Sequence, residues 1–297
     1  AGSIAGTMAG TIREMDCAQN YAVAARDYGR AAEFAQTYGF EKAYGSYEEL
    51  VEDAGVELVY IATPHSHHYE HIKLCLNHGK HVLCEKSFTV NESQAREVLA
   101  LAREKKLLLT EAIWTRYMPM RKTLDSVLSS GVIGRPYMLT ANLGYIISGK
   151  ERIMRPELAG GALLDVGIYP LNFASMVFGD EVDSITGTAV MTETGVDAQN
   201  SITITYKDGK MAALCSSAMG LSDRRGIIYG DNGFIEVENI NNCEGIRVYD
   251  RSRNMIASYD TPKQISGYEY EVEACLRAIK EGALECPEMP HEETLRM

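Results

Sequence analysis

A carboxylate and an ammonium stand side by side at Glu85 and Lys86, where the apolar run 81–84 stops. At the carboxyl end of a buried parallel strand such a pair faces the ligand crevice of an open α/β sheet. There an amine can give charge and a hydrogen bond to a reacting oxygen. In a surface loop the same pair is an ordinary ion pair, common and weak. A second acid and a phenol, Asp165 and Tyr169, lie four residues apart in GGALLDVGIY (160–169) and so share one helical face. By residue type alone, a structural aspartate and a core tyrosine account for them equally well. A third group is PHSHHYEH, with His65, His67, His68 and His71. His67 and His71 have a spacing that suits a metal, but no third ligand is placed, so no metal is expected. His65 and His68 are expected to line the crevice, and His71 to lie on the surface.

The elements that must position these residues follow from periodicity and stops. Short apolar runs at 21–25, 58–62, 81–84 and 107–110 read as strands. Helical patterns at 30–38, 46–55, 69–77 and 92–105 separate them, with Gly39 and Gly79 as stops and Ser46 and Asn91 as caps. Strand and helix alternate over residues 1–113, as in a doubly wound parallel sheet. Beyond 114 the pattern changes. Helices at 118–130 and 164–178 are followed by strands at 182–191, 201–206, 211–217, 225–230, 233–238 and 246–250, with another at 137–145 and a last helix at 268–281. Residues 114–297 therefore read as an α+β domain with a large, mostly antiparallel sheet.

The start of the chain, AGSIAG, is rich in small residues at the mouth of a helix. Gly2, Ser3, Ile4 and Ala5 fit the second half of a dinucleotide fingerprint, with Ala5 as its small packing position and pyrophosphate on the helix N-terminus. The residue closing the next strand selects the cofactor. An acid there binds the ribose 2′-hydroxyl, whereas an arginine holds a 2′-phosphate. Arg26 comes first and Asp27 follows, which favours NADP, with NAD still possible. Ala1 and the closing EETLRM both read as the interior of motifs, so the sheet's first strand is expected to lie outside these residues.

Composition bounds the rest. The 297 residues suffice for two domains. The net charge of −12 argues against a nucleic-acid partner. Seven cysteines without a paired spacing suggest a reducing cytoplasm. The longest apolar stretch carries Asp165 inside it, so no membrane span is expected.

Together, Glu85-Lys86 and the Gly160, Gly161, Asp165, Gly167, Tyr169 series resemble the Gfo/Idh/MocA family over essentially the whole chain. VAARD (23–27), CEKSFTVN (84–91) and EAIWTRY (111–117) most resemble its dihydrodiol dehydrogenase branch, whose members use NADP. The resemblance implies a Rossmann-type domain followed by an α+β domain with an open-faced sheet, and a homo-oligomer, dimer or tetramer, assembled through that sheet. It implies an oxidoreductase moving hydride between a nicotinamide and a secondary alcohol or ketone of a sugar, cyclic polyol or dihydrodiol. Tyr169 would be the general base. A free phenol has a pKa of about 10, so it needs a nearby cation, which Lys86 would supply. Asp165 would orient the substrate or Lys86. Thr63, Pro64, His65, His68, Glu85, Trp114 and Arg116 would hold the cofactor. Ser87 replaces the family's proline and is expected to loosen the backbone after Lys86. A redox-neutral NAD-dependent glycosidase and a non-catalytic NADP-binding sensor are the alternative readings. The loops 146–157 and 219–224 are expected to set specificity.

Overall fold

Strands and helices alternate through the first 117 residues of the computed structural model, which describes residues 2–297. Ala1, part of the fingerprint reading, lies outside the described residues. The order is α1 (Ser3–Ile12), β1 (Ala22–Ala24), α2 (Tyr28–Tyr38), β2 (Lys42–Tyr44), α3 (Tyr47–Glu52), β3 (Leu58–Ile61), α4 (His68–Asn77), β4 (His81–Glu85), α5 (Glu92–Lys105) and β5 (Leu109–Ala112). Local chemistry sets the boundaries. Asp27 Oδ1 accepts from the Arg30 N–H at 2.8 Å and opens α2, which Gly39 closes at φ 75°. Ser46 and Asn91 cap α3 and α5 in the same way. Each cap satisfies an orphan helix N–H and contributes about 1 kcal/mol. The ladder of β5 starts two residues later than the sequence suggests. Lys106 at φ 57° and the Leu107 N–H to the Ala102 carbonyl still belong to the end of α5.

All pairings here are parallel, in two blocks: β1 with β2, and β3–β4–β5. The strand β2 has no signature in the sequence because it is three residues long and has no fully buried side chain. Val82, Leu83 and Cys84 are at most 1% exposed, as expected for a strand covered on both faces. Ile72, Leu76, Val98, Leu99 and Leu109 pack around β4 from α4, α5 and β5. The edges of β1 and β3 have no strand partner on their other side among the described residues. A cavity of about 620 Å³ lies there, lined by Met8, Val23, Val59, Ile61 and Val272.

The second unit spans residues 118–263, with 296–297. It contains α6 (Pro119–Ser129), β6 (Pro136–Gly144), α7 (Glu151–Met154), α8 (Ile168–Phe178), β7 (Val182–Met191), β8 (Asp197–Tyr206), β9 (Met211–Ser217), β10 (Gly226–Gly230), β11 (Gly233–Glu238), β12 (Gly245–Asp250) and β13 (Met255–Asp260). Eight strands form one sheet in the order β13-β12-β11-β10-β6-β9-β8-β7, antiparallel except for β6 with β9. The edge strand β13 carries mostly exposed side chains, so no buried alternation marks it in the sequence. Helix α8 packs on β6 and β9, and Gly226 leaves room for the ring of Phe173. Residues 156–178 are long and apolar enough to cross a membrane by length and composition, contrary to the sequence expectation. They are 67% buried within the fold and serve as its core.

The chain closes with α9 (Glu269–Glu281) and α10 (His291–Arg296). Here the division differs from the expected break at 113/114. Residues 114–117 and 264–295 belong to the first compact unit. Leu109 N–H donates to the Leu284 carbonyl at 3.1 Å, and His291 Nε2 lies 2.8 Å from the Leu109 carbonyl, fixing the returning segment to β5.

Candidate active site

Because β3, β4 and β5 run parallel, Thr63, Glu85 and Lys86 emerge at one edge of the sheet. Glu85 is the last residue of β4 and is 7% exposed. Its carboxylate accepts from the Tyr60 hydroxyl and, at 3.2 Å, from the Lys86 N–H. Burial and the Glu85 charge push the Tyr60 phenol well up, so it is a fixed donor. Lys86 follows, partly exposed, and its peptide bond to Ser87 is cis. His68 is fully buried; its Nδ1 lies 2.8 Å from the Ser87 carbonyl and its Nε2 2.9 Å from the Thr63 carbonyl. It therefore braces the loop after β3 against the loop after β4, where the sequence suggested a residue lining the crevice. That brace, with Ser87 only 4% exposed, opposes the expected loosening after Lys86. Pro64 leads a short turn, His65–His67, and His65 is 6% exposed. His71 is not a surface residue. Its Nδ1 lies 3.0 Å from Thr63 Oγ1, and burial lowers its pKa to about 4.

The start of α1 offers backbone N–H groups without a side-chain cap, and nothing lies within 4 Å of a Cβ at Gly2. The close packing expected of Ala5 belongs to Gly6, where a Cβ would collide with the Tyr38 hydroxyl. Ser3 is exposed, and Ile4 and Ala5 are partly buried. At the end of β1 the Arg26 side chain is exposed, while Asp27 is engaged as the cap of α2. This donor set fits a phosphate-bearing dinucleotide: open N–H groups on a helix, then a guanidinium.

Trp114 stacks on Tyr268 with ring centroids 4.2 Å apart. Arg116 is 8% exposed and pairs with Glu293 of α10 at 2.8 Å. The structure thus engages both in the first unit's own packing. Beneath this edge lie buried acids. Burial raises Glu111 to about 7. Burial, then the Glu85 charge, raises Glu271 well above the usual carboxylate range, and neither of its oxygens has a hydrogen-bond partner.

Asp165 and Tyr169 belong to the second unit, 5% and 8% exposed. Asp165 sits in a wide π turn, Leu163–Gly167, rather than in the regular helix the sequence suggests. Pro170, with no N–H for the Val166 carbonyl, follows it. Gly167 lets this turn approach Ser216 of β9, where a Cβ would come within 2.9 Å of the hydroxyl. Asp165 Oδ1 accepts from Arg152 Nη1 at 2.7 Å. Sequence reasoning missed Arg152 and Tyr60. A tyrosine inside a buried parallel strand needs a polar partner, and that was the available signal for Tyr60.

A parallel-stranded unit with a dinucleotide-binding helix start, a lysine at a strand end, and a separate sheet unit carrying an acid and a phenol define a nicotinamide-dependent oxidoreductase of two-unit type. Comparison with known proteins agrees. Residues 1–113 match the Gfo/Idh/MocA oxidoreductase family, NAD-binding Rossmann fold, and residues 122–236 match the Gfo/Idh/MocA C-terminal domain. The chain is 38% identical over 283 residues to trans-1,2-dihydrobenzene-1,2-diol dehydrogenase of Homo sapiens, covering 93% of this chain and 84% of that protein. For the Xenopus tropicalis enzyme of the same name the identity is 35% over 277 residues, covering 91% and 84%. A crystal structure of KijD10, a 3-ketoreductase from Actinomadura kijaniata with NADP and TDP-benzene, shares the fold. Its TM-score is 0.91 at 24% identity, with 99% of this chain and 91% of that one covered. The chain belongs to the Gfo/Idh/MocA family of oxidoreductases.

Proposed function

We propose that this chain is an NADP-dependent oxidoreductase acting on a secondary alcohol or ketone of a sugar, cyclic polyol or dihydrodiol. The observation that carries this reading is the end of β4. Lys86 is partly exposed there, and its main chain is fixed by Glu85 on one side and by His68 through Ser87 on the other. The α1 start, Thr63 and Arg26 would hold the dinucleotide, with Arg26 on the 2′-phosphate because Asp27 is engaged as a cap. A bound nicotinamide would supply the hydride acceptor or donor. The chain's own groups do the rest. Lys86 Nζ gives a hydrogen bond and charge to the substrate oxygen, Tyr169 Oη takes or returns its proton, and Asp165 accepts from a neighbouring hydroxyl. The dihydrodiol dehydrogenases it resembles support diols as the first substrates to try.

The same reading includes a homo-oligomer, dimer or tetramer, in the cytoplasm. Ile185, Val190 and Met191 on the edge strand β7 are 62%, 57% and 57% exposed, apolar surface that a second copy would cover. All seven cysteines are free thiols, which suits a reducing compartment. The test is nicotinamide absorbance during incubation with trans-diols and aldoses. NADP-linked turnover is expected; its absence across diols, aldoses and cyclic polyols, despite cofactor binding, would overturn the reading.

A further inference from the structure

Arg152 lies in α7, inside the loop expected to set specificity, and its side chain is 40% exposed while that of Asp165 is 7% exposed. A half-exposed ion pair is ordinarily worth little. This one is built in by the backbone. Gly161 N–H donates to the Ile153 carbonyl at 2.8 Å and Gly160 N–H to the Arg155 carbonyl at 3.1 Å. A Cβ at Gly160 would stand 2.7 Å from the Arg152 carbonyl oxygen. Ile153, 1% exposed, anchors the other side of α7. The glycine turn that leads into Asp165 therefore also holds the main chain of Arg152.

We propose that Arg152 is a positioning residue for substrate binding: it fixes the Asp165 carboxylate, charged and oriented, as the acceptor for a substrate hydroxyl, and leaves proton transfer to Tyr169. The proposal rests on the reading above that Asp165 serves the substrate. A guanidinium keeps its charge at any working pH, and an ionised carboxylate has about four acceptor positions, so a bond from Arg152 is compatible with a further bond from a substrate hydroxyl. The acid on β8, Asp197, is held by the Leu163 N–H and Asn200 Nδ2, both at 2.8 Å. Of titratable side chains β6 carries only Tyr137, which is 46% exposed, and β9 only Cys215, and Tyr169 stands one turn further along.

The test is steady-state kinetics of the full chain and of Arg152→Ala, Arg152→Gln, Arg152→Lys and Asp165→Asn, from about pH 5 to about pH 9. Arg152→Ala and Arg152→Gln should raise KM about tenfold with a smaller change in kcat. They should also lose activity at the acid end, because burial unopposed by the guanidinium favours the protonated acid. Arg152→Lys should restore the acid end. If Asp165→Asn is impaired while both Arg152 neutral variants keep the wild-type KM and pH profile, the inference is wrong. If Asp165→Asn itself behaves as wild type, the placement of Asp165 in the substrate site fails, and the inference with it. The glutamine variant, closest in shape, keeps the test valid should the alanine variant not fold.

Discussion

Lys86, just past the end of a buried apolar strand, and Asp165, inside a buried apolar segment, are both charged, yet the two units hold them by different means. In the first unit the lysine is fixed through its main chain. Glu85, locked by Tyr60, takes the Lys86 N–H, and the buried His68 takes hold of the next carbonyl but one. In the second unit the acid is fixed through its side chain, by an arginine that is itself half in solvent. A brace made of buried groups fixes the main chain and leaves the lysine side chain partly exposed. A guanidinium pair instead neutralises its partner while keeping it ionised. The difference suits the two tasks proposed for them: a donor of positive charge to a reacting oxygen, and an oriented acceptor.

The largest way to sharpen this contrast is to remove the reacting groups. Lys86→Met and Tyr169→Phe should each lower kcat by about 10³-fold, the usual reach of a general acid or base, while NADPH binding persists. Unchanged turnover in either variant would break the assignment. Next comes the buried chemistry under the lysine. Glu111 releases its proton near 4.5 when unfolded and at about 7 when folded. The folded protein thus holds the extra proton between these values, and the contribution of this group to stability is lost as pH rises from about 4.5 to about 7. The loss amounts to about 3 kcal/mol. Glu111→Gln should remove this contribution, so that the urea midpoint at about pH 8 rises relative to that at about pH 5 when compared with wild type. The same pH dependence of stability in wild type and Glu111→Gln would contradict the account. The brace itself is a smaller term. His68→Ala should cost about 2 kcal/mol by removing the buried imidazole and its N–H donor to one of the Thr63 and Ser87 carbonyls, and should weaken NADPH binding as well as thermal stability. A loss of stability alone would make His68 a plain core residue. Smallest is Arg26→Ala, which should lower the preference for NADPH over NADH by about tenfold, the loss of a charge-assisted contact, read by fluorescence titration with both cofactors.

The contrast also explains what the sequence could tell. Strand ends carrying Thr63 and Lys86 were legible because a buried parallel strand is a continuous apolar run with an abrupt polar stop. The caps Ser46 and Asn91 were legible because their chemistry is local, whereas Asp27, weighed as a ribose contact, is a cap as well. His68 was read as lining the crevice, since its type suits binding; only the two carbonyls around it show a brace. Arg152 was invisible, because what pairs it with Asp165 is a turn at Gly160 and Gly161 that returns the chain across thirteen positions of sequence. The returning segment 264–295 was hidden for the same reason. Its helix has a clear pattern, but nothing local says which unit it packs on.

Trp114 is the chain's single tryptophan and lies in the nucleotide-binding unit. Titrating its fluorescence with NADPH and NADH tests the central claim directly. Saturable quenching by NADPH, at least about tenfold tighter than by NADH, is the predicted result. Equal or tighter NADH binding would move the ribose contact from Arg26 to Asp27, and no binding of either cofactor would contradict the oxidoreductase account.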